Sequence, residues 1–182
     1  MQNGTVASAR LVLMAQLLLA LCGPAAQVAS AEAAAEPKKP CSTAPYRQFD
    51  FWRGNWVVTE NGKPAGKNRI EAVLNGCALL ESWTGVGGLT GHSLNTYDAT
   101  RDVWHQTWVD SAGSLLTLEG HLQGNAMVLE GLAVEKKDTP PTHQRITWTP
   151  RPNGDVRQHW QSSADDGLTW KTEFDGLYKR AE

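Results

Sequence analysis

The chain has 182 residues, a mass of 19.9 kDa and 17 Lys+Arg against 19 Asp+Glu, which allows one domain of ordinary size and leaves no excess of cations for a polyphosphate partner. Eight Trp, 17 Gly and a hydrophobic fraction of 41% exclude a disordered chain and suit a β-rich one with many turns.

At the N-terminal end, the apolar run Leu11 to Leu21 follows Arg10 and precedes the small-x-small pattern Ala29-Ser30-Ala31. This predicts a signal peptide over residues 1-31. The run is too short to span a membrane, which takes about 20 apolar residues. Lipidation at Cys22 is disfavoured because Leu21 occupies a place where lipoprotein signals want a small residue. Cleavage would remove Arg10 and Cys22 and leave a mildly acidic chain with Cys41 and Cys77. In the oxidising periplasmic or secreted compartment this implies, the two cysteines are expected to form a disulfide. The bond would pin down residues 32-48, an N-terminal linker segment rich in Pro and charge up to Pro40. No C-x-x-C spacing supports redox catalysis or structural zinc.

From residue 49 to 182 the chain reads as one β-domain. Turn signals recur about every ten residues, among them Asn61-Gly62, Asn75-Gly76, Gly124-Asn125 and Asn153-Gly154. Between them lie ten predicted strands: 55-60, 67-74, 77-84, 92-98, 103-110, 115-122, 126-133, 144-150, 156-163 and 170-180. A meander this long leaves two edges exposed unless it closes, so an antiparallel up-and-down barrel is expected.

Fixing each hairpin at its turn puts one set of side chains in phase. The inward set includes Glu81, Trp83, Asn95, Tyr97, Trp104, Gln106, Trp108, Gln158, Trp160, Phe174 and Tyr178. Taking Asn153-Gly154 as a two-residue turn adds Arg145, opposite Ser162, and sends Trp148 and His159 to the outer face. Burying so many amides and a carboxylate dry costs about 1-3 kcal/mol for each unpaired group, so they require each other, water or a ligand. The expected site is an interior cavity lined by Glu81, Trp83, Asn95, Tyr97, Gln106, Trp108, Arg145, Gln158 and Trp160. In it Glu81 and Arg145 would form an orienting pair.

Gly54-Asn55-Trp56 resembles the Gly-x-Trp that opens lipocalin barrels, and Arg180 matches the basic residue that such barrels lay across that Trp, giving both a structural role. The runs Phe49-Asp50-Phe51-Trp52, Asn75-Gly76-Cys77, Glu81-Ser82-Trp83, Gly91-His92-Ser93-Leu94-Asn95, Tyr97-Asp98 and Trp104 to Asp110 are similar to a bacterial family of secreted lipocalin-like domains of unknown function. That resemblance implies a barrel and transfers no activity. The strand count is also similar to nitrobindin-type barrels, which bind haem through one histidine, but the phase sets His105 and His159 outside. Ser163 to Trp170 fits the Asp-box of sialidase propellers and, as a single copy, reads as a hairpin turn.

The five histidines, 92, 105, 121, 143 and 159, show no ligand spacing, and no metal is expected. Three functions follow from this reading. The first is an exported barrel holding a partly aromatic or amphipathic small molecule, without a cofactor. The second is an isomerase- or cyclase-like enzyme using Glu81 and Arg145. The third is a scaffold whose working surface surrounds Trp148 and His159.

Overall fold

The computed structural model describes residues 39–134 and 137–182. The predicted leader, with Cys22, lies outside the described residues. Ten antiparallel strands follow one another in the chain: β1 Gly54–Glu60, β2 Lys63–Val73, β3 Ala78–Gly85, β4 Thr90–Asp98, β5 Val103–Asp110, β6 Leu115–Gln123, β7 Ala126–Ala133, β8 Thr142–Pro150, β9 Val156–Ser163 and β10 Lys171–Arg180. Each pairs with its chain neighbours, and β1 pairs with β10 through Trp56↔Arg180 and Val58↔Tyr178. The expected up-and-down barrel is therefore closed, and among the described residues no strand presents a free edge.

Turn chemistry sets the register. Asn61 and Gly62 both take positive φ, 49° and 75°, the primed turn whose twist matches the flanking strands. Between β8 and β9 the chain turns differently. The Gly154 amide donates to Arg151 O at 3.0 Å, the Arg151 amide donates to Asp155 O at 2.8 Å, and Gly154, with φ 86°, is the loop's only positive-φ residue. This is a turn with Pro152 in its second position followed by a glycine bulge, so three residues connect the strands instead of two. One extra residue inverts β8. Ile146 pairs with Trp160 and Trp148 with Gln158, which turns Gln144, Ile146 and Trp148 inward and Arg145, Thr147 and Thr149 outward. The sequence-based placement of Arg145 inside and Trp148 outside is corrected accordingly.

One end of the barrel is filled by residues from before the first strand. Two 3-10 turns, Ala44–Arg47 and Asp50–Trp52, carry Phe49 and Trp52 into it. Phe49 stacks on Trp52 at 4.9 Å and meets Trp148 and Trp104 edge-on at 5.1 and 5.6 Å. Trp56 donates from its indole to Trp52 O at 2.8 Å, and Trp104 donates to Gln48 Oε1 at 3.1 Å. Below this plug Arg180 lies 4.0 Å over the Trp56 ring and donates to Arg53 O.

The plug segment is tied down covalently by the expected Cys41–Cys77 disulfide, across a sequence separation of 36. Arg47 also donates to Gly76 O, and Asp50 sits 3.5 Å from both Arg47 and Arg53.

Two stability measurements test this description. Trp148→Ala should lower the free energy of unfolding in urea by about 3–5 kcal/mol, as for a fully buried indole, while Thr147→Ala stays within about 0.5 kcal/mol; the opposite order would restore the two-residue turn. The double substitution Cys41→Ala, Cys77→Ala should cost up to about 4 kcal/mol by the same measurement.

Candidate ligand-binding mouth

The inward face changes character along the barrel. At the plugged end Trp52, Trp56, Trp104, Trp148 and Tyr178 are at most 2% exposed. At the other end Trp83, Trp108, Trp160 and Phe174 also face in, but they are only partly buried and pack on the core from its edge. The plugged half is thus solid core, the other half ends in partly buried aromatics, and the described concavities lie elsewhere, one beside Asp50, Arg53 and Ile70 and one on the outer wall between Leu80, His92, Leu94 and Val109.

Glycines on neighbouring strands make room for these rings. A Cβ at Gly66 would come within 2.7 Å of the Trp83 indole, and one at Gly91 would overlap the Trp108 indole. Phe174 lies against Gly176 in the same way. Trp83 and Phe174, on strands separated by β1 and β2, also meet edge-on with ring centroids 6.1 Å apart. Trp108 donates to Asp110 Oδ2 at the rim at 3.3 Å, and Trp160 donates to Gln144 Oε1 at 2.7 Å.

Beneath the aromatic layer is a polar floor. Ile70 and Ser93 flank Glu81 on adjacent strands, and Ser93 in turn lies opposite Trp108. Glu81 is 4% exposed and accepts from Asn68 Nδ2 at 2.6 Å and from Ser93 Oγ at 2.5 Å. Asn95 Nδ2 donates to Ser93 Oγ at 2.8 Å, and Gln106 Nε2 donates to Asn95 Oδ1 at 2.8 Å. On the far side Asn68 Nδ2 also reaches the Tyr178 hydroxyl at 3.3 Å, which donates to Gln158 Oε1. Much of the cost of burying these groups is met by their bonds to one another. One acceptor is left over, since Asn68 Oδ1 is buried with no hydrogen-bond partner. Burial pushes the Glu81 carboxyl above the usual carboxylate range, against the lowering effect of the Ser93 and Asn68 donors. Burial also pushes Tyr178 well up, with the Glu81 charge adding to it.

Of the nine residues expected to line the cavity, Trp83, Trp108 and Trp160 lie at the end opposite the plug, and Glu81, Asn95, Gln106 and Gln158 form the polar layer beneath them. Tyr97 belongs to the plugged end, where its ring meets Tyr46 edge-on at 5.1 Å and its hydroxyl donates to Asp102. Arg145 is outside. It donates to Gln161 at 3.0 Å, sits 3.8 Å from Glu130 and covers the Trp170 ring at 3.8 Å, so no Glu81–Arg145 pair exists. Sequence reasoning passed over Gln144 because of the turn. It passed over Asn68 although that residue is in phase, since only the fold shows its bond to Glu81.

The outer face carries the remaining polar chemistry. His105 links Thr107 Oγ1 at 2.8 Å to Glu119 at 3.0 Å, and Arg101 together with His105 holds the Glu119 carboxyl down to about 2. His159 meets Thr172 Oγ1 at 3.0 Å, also outside. No described histidine faces the interior, which leaves iron ligation by an inward histidine without a ligand. In the Asp-box turn Asp165 accepts from the Thr169 amide and hydroxyl at 2.8 and 2.6 Å, and its carboxyl is held down to about 2. It serves as a stapled hairpin.

Neither a protein-family model nor a curated protein matches the chain. The fold and site by themselves define a closed ten-stranded antiparallel barrel, plugged at one end and lined with partly exposed aromatics at the other.

Glu81 also sets a pH dependence. A carboxyl raised on folding binds its proton more tightly in the native state, so its contribution to stability falls as pH rises from about 4.5 through the raised value. The difference in unfolding free energy between wild type and Glu81→Gln should therefore shift in favour of the variant as pH rises through that window. A pH-independent difference in urea midpoints would contradict the raised carboxyl.

Proposed function

We propose that this protein is an exported barrel of the lipocalin-like kind, and that it holds a partly aromatic or amphipathic small molecule in its open half. The observation that carries this reading is the contrast between the two ends. The inward indoles are sealed at the plugged end and only partly buried at the other, although nothing in the strand pattern distinguishes them. Large apolar rings left partly in reach of water, above a few convergent polar groups, are common makings of a small-molecule site. The Cys41–Cys77 disulfide supports an oxidising destination, periplasmic or extracellular. The enzyme reading built on Glu81 and Arg145 loses its cation, and the scaffold reading built on Trp148 loses its surface, because that indole is wholly buried.

The neutral, flat dye Nile red tests the reading. It should bind at one site per chain with a blue-shifted emission, and Trp108→Ala with Trp160→Ala should weaken it about tenfold or more. The outer wall also exposes apolar side chains, among them Leu115 and Leu132. Loss of dye binding in a Leu115→Ser, Leu132→Ser variant, with the indole variant unaffected, would move the site to the outside and overturn the proposal.

A further inference from the structure

The mouth has a polarity that the sequence reading missed, because that reading placed Arg145 inside. With Arg145 on the outer wall, no Lys, Arg or His among the described residues faces the lumen below the rim. What charge does face it is negative, and several of the groups beside it attract cations. Trp83, Trp108 and Trp160 bring electron-rich ring faces. Glu81 brings the one carboxyl, and Asn68 Oδ1 is a buried acceptor without a donor. At the rim Asp110 adds a second carboxylate, and Lys171, on the opposite side of the barrel, is engaged by Glu173 at 3.1 Å.

We propose that the ligand carries a protonated amine attached to an aromatic or apolar body, with the amine directed at Glu81 and Asn68 and the body among the indoles. This rests on the ligand-binding reading above and adds the charge of the ligand to it. An ammonium has three N–H donors and no acceptor, the complement of a floor whose leftover group is an acceptor. Its charge would also offset the burial of Glu81, whose bonded partners Asn68 and Ser93 are neutral and whose basic neighbour, His92, points to the outer face. A carboxylate ligand would meet the opposite conditions, placing a second anion beside Glu81 with no cation to share. Distance suits a short arm. Glu81 lies two residues below Trp83 on the same face of β3, on the order of 7 Å along the strand.

Three probes of nearly equal shape separate the cases: 2-phenylethylamine, 2-phenylethanol and 3-phenylpropionate, titrated calorimetrically into the wild-type protein and by competition with Nile red. The amine should bind about tenfold or more tightly than the alcohol, a difference of about 1.4 kcal/mol, and the propionate more weakly than either. In Glu81→Gln the amine should fall to the level of the alcohol, while the alcohol is unchanged. Equal binding of amine and alcohol, a preference for the propionate, or failure of all three to bind would overturn the amine inference. Nile red binding that still responds to Trp108→Ala and Trp160→Ala would leave the ligand-binding reading standing in each of those cases. The comparison of probes on the wild-type chain needs no variant, so it decides the matter even if Glu81→Gln does not fold.

Discussion

Ten strands enclose a wider lumen than eight, and an eight-stranded barrel is about the size that its own wall side chains can fill. In this protein Phe49 and Trp52, which belong to no strand, enter one end and stack among Trp104 and Trp148. The arrangement makes that half a solid core, and it needs the disulfide and the Arg47 contacts to hold the inserted segment against the β2–β3 corner. No comparable insertion fills the opposite half among the described residues. The asymmetry between a sealed end and an open one is thus a consequence of where the extra aromatics are supplied.

The middle of the barrel mediates between the two halves. Asn68, Glu81, Ser93, Asn95 and Gln106 form a connected set of hydrogen bonds across β2 to β5, directly above the aromatic core. In an interior of low dielectric such a network fixes its members closely when satisfied, and a single leftover acceptor becomes costly. Asn68 Oδ1 is that acceptor, next to a carboxyl that burial already disfavours as an anion. The polar layer therefore holds unmet demand for donors and positive charge, beneath Trp83 and Trp108, which lie against Gly66 and Gly91.

Outside, opposite charges are paired within reach of solvent, as with Arg101 between Asp98 and Glu119, and Arg157 on Asp175. Pairs of this exposure add little stability each. Their arrangement does explain why the histidines are unavailable for interior chemistry, since His105, His143 and His159 are each engaged on that face.

Strand number, closure and the faces of eight strands were legible from alternation and turn residues, because a side chain's face follows from local pleat once a hairpin is placed. The same logic failed at β8, where Pro152 and Gly154 make a three-residue connection that Asn153-Gly154 disguises as a shorter one. Arg145 and Trp148 exchanged sides as a result, and with them the expected charge of the site. Other features lay beyond any local pattern. That Phe49 and Trp52 enter the lumen, that Asn68 rather than an arginine meets Glu81, and that only one set of inward indoles remains accessible are relations between segments far apart in the chain. Alternation assigns a residue to a face, but its depth and its partners across the lumen are set when the sheet closes and the plug takes its place.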